Sequence, residues 1–217
     1  MTDIIQGSDE WFDARRGKVT ASRIADVIAK TKSGWGAGRA NYMAELVAER
    51  MTGVTAESYV NATMQRGKDL EPQARAAYEF FTDSEVIGIG IAPHPVLDQS
   101  AASPDGLVSD DGMVEIKCPN TATHIETLLN GKIPDKYIVQ MQWQMACAGR
   151  KWCDFVSFDP RMPGNLNIHI QRVERDDKRI AELENLVRVF LTETSEKVKA
   201  LEVRKVDLAA EQPPMDA

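Results

Sequence analysis

Apolar side chains in about the first 80 residues recur at the three- and four-residue spacing of amphipathic helices. The pattern predicts a short helix capped by Ser8, a second capped by Thr20 or Ser22, and a third over residues 39 to 52. A long fourth helix is expected from Asn61 to about Phe81, with Pro72 starting or kinking its second half. Residues 33 to 38 are too rich in glycine for regular structure and predict a mobile loop.

Farther along the chain the periodicity changes to the alternation typical of strands. Strands are predicted over residues 85–92, 105–108, 113–118, 151–158 and 166–173, and helices over residues 121–130, 134–148 and 176–204. The tail from Asp207 to Ala217 is expected to be disordered, which leaves residues 1–206 as a single domain. Helices followed by a sheet that further helices interrupt predict a mixed α/β (α+β) fold.

The composition fits one folded domain, with 217 residues of which 43% are hydrophobic and 27% charged. No apolar run approaches the ~20 residues that span a bilayer, and the N-terminus lacks the basic region and apolar core of a signal peptide. The three cysteines, Cys118, Cys147 and Cys153, are too few for a disulfide framework and indicate a reducing compartment. We therefore expect a cytoplasmic location.

The formal net charge of −7 bears on the kinds of partner that the protein can have. A protein that passively coats nucleic acid is usually basic, so the composition argues slightly against that class. An acidic enzyme can still act on nucleic acid if its basic side chains gather in one cleft, because phosphate responds to the local potential.

Candidate chemistry lies in two neighbouring segments, Ser103-Pro-Asp-Gly106 and Val114-Glu-Ile-Lys-Cys118. Alternation along the second segment predicts that Glu115 and Lys117 share the face opposite the core. Pairing around the turn at residues 109–112 then brings Asp105 roughly opposite Glu115 or Ile116. Two carboxylates and an ammonium are therefore expected to meet at one end of a hairpin.

This combination suits the hydrolysis of phosphodiesters. Mg²⁺ prefers hard oxygen ligands and keeps several waters, so one or two carboxylates and a substrate phosphate are sufficient to hold it. Two ions ~3.5–4 Å apart can activate the attacking water and stabilise the leaving oxygen. A nearby lysine can orient the water or offset charge that grows on phosphorus.

Each part of the pattern also has an ordinary structural explanation. Ser-Pro-Asp-Gly is good type I turn chemistry, and Glu-x-Lys on a strand is usually a solvated face. The combined pattern Pro-Asp-x9-Glu-Ile-Lys, closed by Pro119, is much more specific than either part.

Pro104-Asp105 and Glu115-Ile-Lys117 match the signature of the PD-(D/E)XK nucleases, and the wider sequence resembles its lambda-exonuclease or YqaJ-like viral recombinase family. The shared blocks occur in the family's order over about residues 8 to 175: Trp11, Arg15-Arg-Gly17, Thr20-Ala-Ser22, Arg66-Gly-Lys-Asp-Leu-Glu71, Ser103-Pro-Asp-Gly-Leu107, Glu115-Ile-Lys-Cys-Pro119, Tyr137-Ile-Val-Gln-Met-Gln142 and Phe158-Asp-Pro-Arg161. The resemblance implies a restriction-endonuclease-like core with a mixed central sheet.

The resemblance also implies an activity and partners. Such enzymes, which are encoded by phages or prophages, digest the 5′ strand of linear double-stranded DNA from its end, release mononucleotides and leave a 3′ single strand for recombination. They form ring-shaped homotrimers and work beside a single-strand annealing protein. Mg²⁺ is the expected cofactor, with two ions in the family's mechanism, although the sequence distinguishes neither the number of ions nor Mg²⁺ from Mn²⁺.

Carried over by position, the resemblance assigns roles to individual residues. Asp105, Glu115, the Ile116 carbonyl and Glu71 correspond to metal ligands, Lys117 to the catalytic lysine, and Gln140 to an active-site glutamine. Arg15 corresponds to the arginine that binds the terminal 5′ phosphate, a task that suits its forked donors. Ser22 and Ser103 add hydroxyl contacts, Lys32 and Arg39 lie where they could touch backbone phosphate, and Met64 stands where the family has an apolar wedge.

Ordinary roles remain open for several of these residues. Glu71 could be a solvated helix residue, Arg15 a surface arginine and Met64 a core methionine. Gln140 could be a buried amide that bonds between helices.

Two other functions also remain open. The first is another nuclease with the same signature, either an endonuclease or an iron–sulfur exonuclease, although the latter needs four cysteines and this chain has three. The second is a DNA-end-binding module without catalysis.

Overall fold

The structure, a computed structural model, describes residues 4–32, 34–55 and 62–211, without the side chains of residues 63, 64 and 209–211. Its N-terminal part contains helices α1 (Asp9–Arg15), α2 (Ile24–Val27), α3 (Ala37–Thr52) and α4 (Ala62–Thr82). The Ser8 hydroxyl accepts a hydrogen bond from the Trp11 amide, which confirms the first predicted cap. Thr20 precedes a 3₁₀ turn (Ala21–Arg23) that leads into α2, but its side chain makes no capping bond.

Residues 30 to 35 differ from the prediction. Strands β2 (Lys30–Thr31) and β3 (Gly34–Trp35) pair as a small antiparallel hairpin. The predicted loop is therefore wrong at Gly34 and Trp35, and Ser33 lies outside the described residues. Gly34 has a φ of 136°, which only glycine adopts readily and which permits the tight reversal. The Trp35 ring contacts the Lys30 ammonium within the hairpin and the Arg39 guanidinium of α3, and the second contact holds the hairpin against α3.

A five-stranded mixed sheet has the order β10-β9-β8-β7-β4. Its strands are β4 (Val86–Ile87), β7 (Gly106–Val108), β8 (Gly112–Lys117), β9 (Trp152–Phe158) and β10 (Ile168–Glu174). Strands β8 and β9 are parallel, and the other pairs are antiparallel. The strands predicted over residues 105–108, 113–118, 151–158 and 166–173 are thereby confirmed.

A smaller sheet has the order β1-β6-β5, from β1 (Val19–Thr20), β5 (Ala92–Pro93) and β6 (Ser100–Ala102). The single strand predicted over residues 85–92 is wrong, because the chain leaves the large sheet after β4 and joins the small one at β5. Between them Gly90 passes so close to the Ile4 carbonyl that a Cβ would overlap it. Strands β1 and β6 are too short for a recognisable alternation.

Helices α5 (Thr121–Asn130), α6 (Asp135–Ala148) and α7 (Asp177–Glu211) complete the fold. Helix α7 continues beyond the predicted end at Arg204, so residues 207–211 are helical rather than part of a disordered tail, while residues 212–217 lie outside the description. None of the described helices is long and apolar enough to cross a bilayer.

Helices cover both faces of the large sheet. On one face, Ala74 and Tyr78 of α4 pack with Val114 and Ile116 of β8. On the other face, Met141 and Met145 of α6 are fully buried and pack with Met113 and Phe155. Consequently the face of β8 that carries Glu115 is covered by α6 and is not solvated.

Candidate active site

The segment Ser103-Pro-Asp-Gly106 connects the two sheets, running from β6 into β7. Gly106 pairs with Val114, which sets Asp105 beside the following residues of β8. The Asp105 Oδ2 atom accepts a hydrogen bond of 2.7 Å from the Ile116 amide. Glycine is required after Asp105, because a Cβ at Gly106 would overlap the Val86 side chain.

Glu115 is held by three donors although only 1% of its surface is exposed. Its Oε1 contacts the Lys117 ammonium and accepts a 2.6 Å hydrogen bond from Gln140 Nε2. Its Oε2 accepts another 2.6 Å bond from Gln144 Nε2. The predicted meeting of Asp105, Glu115 and Lys117 is therefore present, and it includes Gln140.

Gln144 is a site residue that the sequence analysis missed. It follows Gln140 by four residues on α6, a spacing that places both amides on the same helix face. That repeat was the available signal, although its meaning depends on knowing that this face of α6 covers Glu115.

Glu71 extends from α4 toward the same carboxylates, and its side chain is 36% exposed. Arg75, one turn later, lies 3.6 Å from Glu71 and donates a hydrogen bond to the backbone carbonyl of Asp105. The helix α4 is thus tied to the start of β7, which brings Glu71 into the cleft that contains Asp105.

Burial and repulsion shape the charges of this cluster. Burial first, and then the negative charge of Glu115, raise the pKa of Asp105 well above its usual value. Burial alone would lower the pKa of Lys117, but Glu115 and Asp105 outweigh it and hold that pKa above its usual value. Lys117 is therefore cationic at neutral pH, whereas Asp105 is costly to ionise without a further positive charge nearby.

The donors fit a hard divalent cation. Asp105 and Glu115 supply oxygens from two strands, and Glu71 can supply another, which suits the few protein ligands that Mg²⁺ needs. The described residues contain no cluster of three or more histidine, cysteine or acidic side chains that could by itself hold a metal ion. For a cation held here, substrate oxygens or waters would complete the coordination, and its charge would oppose both the burial and the repulsion from Glu115 that raise the pKa of Asp105.

A cleft of about 610 Å³ opens over the cluster. Its polar lining adds residues that were not singled out from the sequence, namely Asp26, Lys68, Lys136 and Tyr137, to the predicted Ser22, Glu71, Asp105, Lys117 and Gln140. The Lys117 ammonium also lies 5.2 Å from the centre of the Tyr137 ring. Both added lysines are exposed and extend the positive charge along the cleft.

A second cleft of about 590 Å³ contains Arg15 and adjoins the first. Arg15 Nη1 donates a 3.1 Å hydrogen bond to Ser103 Oγ, and its guanidinium lies 4.1 Å from the centre of the Trp11 ring. Ser22, Lys68 and Glu71 line both clefts. The predicted phosphate-binding side chains therefore lie next to the carboxylate cluster.

Two other predicted DNA contacts lie away from these clefts. Arg39 is 5% exposed, bonds to both carboxylate oxygens of Glu193 at 2.7 and 3.0 Å, and stacks on Trp35. Its predicted phosphate contact is wrong, because its donors serve the packing of α3 on α7. Lys32 is exposed near the hairpin and lines neither cleft, and the side chain of Met64 lies outside the description.

A buried aspartate holds the chain just after β8. Asp159 accepts hydrogen bonds from Arg161, Arg66 and Thr121, and the bonds from Arg161 are the main reason that its pKa lies far below the usual value. Arg66 also donates to the carbonyls of Cys118 and Pro119. The network therefore anchors the end of the strand that presents Lys117.

The cysteines do not contribute to this site as thiolates. Burial raises the pKa of Cys118 to about 11, and burial likewise raises the pKa values of Cys147 and Cys153. All three are therefore neutral thiols near pH 7, and Cys118 and Cys153 are buried.

Comparisons with known proteins agree with this geometry. Residues 10–151 match the model of the YqaJ-like viral recombinase domain. A crystal structure of an alkaline exonuclease (LHK-Exo) from Laribacter hongkongensis is similar at 51% identity and a TM-score of 0.87, covering 93% of this chain and 100% of that chain. The structure of LHK-Exo in complex with dAMP gives the same values.

A phage-related exonuclease from Haemophilus somnus shares 16% identity with a TM-score of 0.68, covering 85% of this chain and 96% of that one, which supports the fold alone. No match was found among curated proteins. The family match and the 51% identity over nearly the whole chain decide the assignment. The protein belongs to the lambda-exonuclease-like family of YqaJ-like viral recombinases, and its mixed sheet is the PD-(D/E)XK nuclease core.

Proposed function

We propose that the protein is a Mg²⁺-dependent 5′-to-3′ exonuclease that digests one strand of linear double-stranded DNA from its end. Family membership and the alkaline exonuclease relative support the broader statement that it is a phage-type DNA exonuclease, a hydrolase. The observation that carries the finer proposal is the cluster of Asp105, Glu115 and Lys117. Asp105 and Lys117 line a cleft that adjoins the pocket of Arg15, and Glu115 is buried beside them.

The side chains of the cluster have distinct roles in this proposal. Asp105 and Glu115, with Glu71 and the Ile116 carbonyl, hold Mg²⁺, which when bound supplies Lewis acid stabilisation and acidifies a water. Lys117 offsets the charge that develops on the phosphate. Gln140 holds Glu115 beside Lys117 through its 2.6 Å hydrogen bond.

Arg15 explains why the proposed enzyme would act at DNA ends and start from the 5′ end. A guanidinium can bind a terminal phosphate through two parallel hydrogen bonds, and Ser22 and Ser103 offer hydroxyls in the same region. A 5′ phosphate held there sits beside the cleft with the carboxylates, so the bond presented to them lies at the 5′ end. The products are then 5′-mononucleotides, in keeping with the dAMP bound by LHK-Exo.

The biological setting belongs to the same proposal. The remaining 3′ single strand serves recombination by single-strand annealing, beside an annealing protein in the cytoplasm of a bacterial host. The protein acts as a homotrimeric toroid, a state that light scattering coupled to size-exclusion chromatography tests directly, with a monomer of 24.1 kDa as the reference mass.

The decisive experiment is digestion with Mg²⁺ of a linear duplex that carries separate labels at its two 5′ ends and two 3′ ends. Early release of the 5′ labels as mononucleotides is expected, while covalently closed circular DNA remains intact. Cleavage of the circle would favour an endonuclease, and binding of ends without any digestion would favour a non-catalytic module.

A further inference from the structure

Two glutamines of α6 bond to the two oxygens of one buried carboxylate. Gln140 Nε2 donates to Glu115 Oε1, and Gln144 Nε2 donates to Glu115 Oε2, each at 2.6 Å. Lys117 contacts the same oxygen as Gln140. Gln144 is therefore the donor that fixes the second oxygen, and with it the rotation of the carboxylate plane.

Gln144 lies in a buried position that is energetically unfavourable for an amide. It is 1% exposed, and its Oε1 is buried without a hydrogen-bond partner in the part of the chain that the structure describes. An unsatisfied buried polar atom destabilises the folded state, so an apolar side chain of similar size would suit the helix packing better. The bond to Glu115 is the interaction that distinguishes glutamine from such a side chain.

Gln142 shows what a structural glutamine does on the same helix. It is 3% exposed, its Nε2 donates to the Glu174 carbonyl at 2.8 Å, and its Oε1 accepts from the Asp176 amide at 2.9 Å. Both ends of this amide are satisfied by backbone groups, and it ties α6 to the connection between β10 and α7. Gln144, by contrast, makes its one side-chain hydrogen bond among the described residues to a side chain of the active site.

We infer that Gln144 is a positioning residue that orients Glu115 for metal binding and acts through that carboxylate without touching DNA. The inference rests on the proposed function, in which Glu115 holds the cation. Hydrogen-bond partners of metal-binding side chains typically contribute 10–100-fold to metal affinity or activity, because they fix the orientation of the ligand atoms.

The test compares three variants of the full chain, with Mn²⁺ as the spectroscopic probe. Gln144→Met removes the amide at nearly constant volume, and Gln144→Asn keeps an amide but shortens it by one methylene, which withdraws the donor from Glu115. Gln142→Met is the matched control. Mn²⁺ binding is measured by electron paramagnetic resonance without DNA, duplex binding in EDTA, and turnover in Mg²⁺.

Both Gln144 variants are expected to bind Mn²⁺ about 10–100-fold more weakly and to lose turnover at low Mg²⁺, with duplex binding in EDTA unchanged. Gln142→Met should lower the melting temperature and leave Mn²⁺ affinity as in the wild type. If Gln144→Met fails to fold, the smaller change in Gln144→Asn provides the measurement.

If a folded Gln144 variant binds Mn²⁺ with wild-type affinity, the inference is wrong and the proposed function is unaffected. An equal loss in Gln142→Met also overturns it, because the effect would then come from packing of α6. A wild-type protein that neither binds Mn²⁺ nor digests linear duplex overturns the proposed function, and the inference with it.

Discussion

Replacing Lys117 with methionine tests the central contact of the site. The change keeps most of the side-chain volume and removes the ammonium that contacts Glu115 Oε1. Glu115 then remains 1% exposed with only the two amide donors, Gln140 and Gln144. We expect the variant to fold and to bind duplex DNA, and to have lost nearly all hydrolysis.

The structure indicates how much folding stability and how much turnover the variant should lose. Breaking a fully buried ion pair costs about 3–5 kcal/mol, but Lys117 is 26% exposed and two donors stay on Glu115, so about 1–3 kcal/mol is the reasonable range. For a chain of this size that lowers the melting temperature by roughly 2–4 °C per kcal/mol. Loss of one group that stabilises transition-state charge lowers kcat by about 10²–10³-fold. Because Glu115 is buried, loss of Lys117 should therefore lower stability as well as activity.

The assay measures initial rates on a linear duplex, duplex binding in EDTA, and thermal unfolding of each protein. Lys151→Met is the control, since it also removes a lysine charge, and its side chain is 71% exposed outside the clefts. The pKa of Lys117 is raised in the folded state, so its stabilising contribution is complete below the unfolded pKa of about 10.4 and fades as pH rises through the folded value. The stability difference should thus be constant over pH values of about 7 to 9.

Wild-type turnover in Lys117→Met would refute the catalytic role of the lysine. A variant that is inactive but has also lost duplex binding would show that the ammonium serves substrate affinity, contrary to the reasoning above. A stability identical to that of the wild type would mean that the contact with Glu115 contributes nothing to folding.

Other changes test the remaining parts of the site. Arg15→Ala should bring the digestion rates of 5′-phosphorylated and 5′-hydroxyl duplexes together, removing a preference of about 10–100-fold, and an undiminished preference would exclude the assigned pocket. Lys68→Ala should raise KM with little change in kcat and reduce the slope of log affinity against log salt by about 1, and an unchanged slope would exclude a phosphate contact. Because its pKa is raised by burial and Glu115, Asp105 costs stability above its unfolded pKa of about 3.9, so Asp105→Asn should melt higher than the wild type at pH 8 without metal. Mg²⁺ should raise the melting temperature of the wild type and leave that of Asp105→Asn unchanged, and equal shifts would place the ion elsewhere.

The hairpin chemistry could be predicted because it is local. Asp105 and Glu115 are ten positions apart, and strand alternation with a short turn is sufficient to bring them together. The packing that buries Asp105 and Glu115 and supplies the hydrogen bonds of Glu115 is not local. Helix α6 begins twenty residues after Glu115, and only the folded chain shows that it covers this face and supplies Gln144.

The errors of prediction have the same cause. Arg39 beside a glycine-rich segment suggested a mobile contact with DNA, yet its partner Glu193 lies 154 residues away and removes it from solvent. The strand predicted over residues 85–92 is divided because residues 86–87 pair with β7 and residues 92–93 pair with β6, and periodicity does not show which strands pair. In each case a distant segment decided the outcome.

The acidic composition and a DNA substrate are compatible because the charges of the clefts are not equally available. Arg23 binds Asp26 and Glu45 on one wall and offsets one of their two negative charges, and Lys117 binds and offsets Glu115. Lys68 and Lys136 make no ion pair within the described residues and remain exposed along the opening. Local attraction for phosphate can therefore coexist with a net charge of −7, and it predicts binding that weakens steeply with salt although the whole molecule repels DNA at long range.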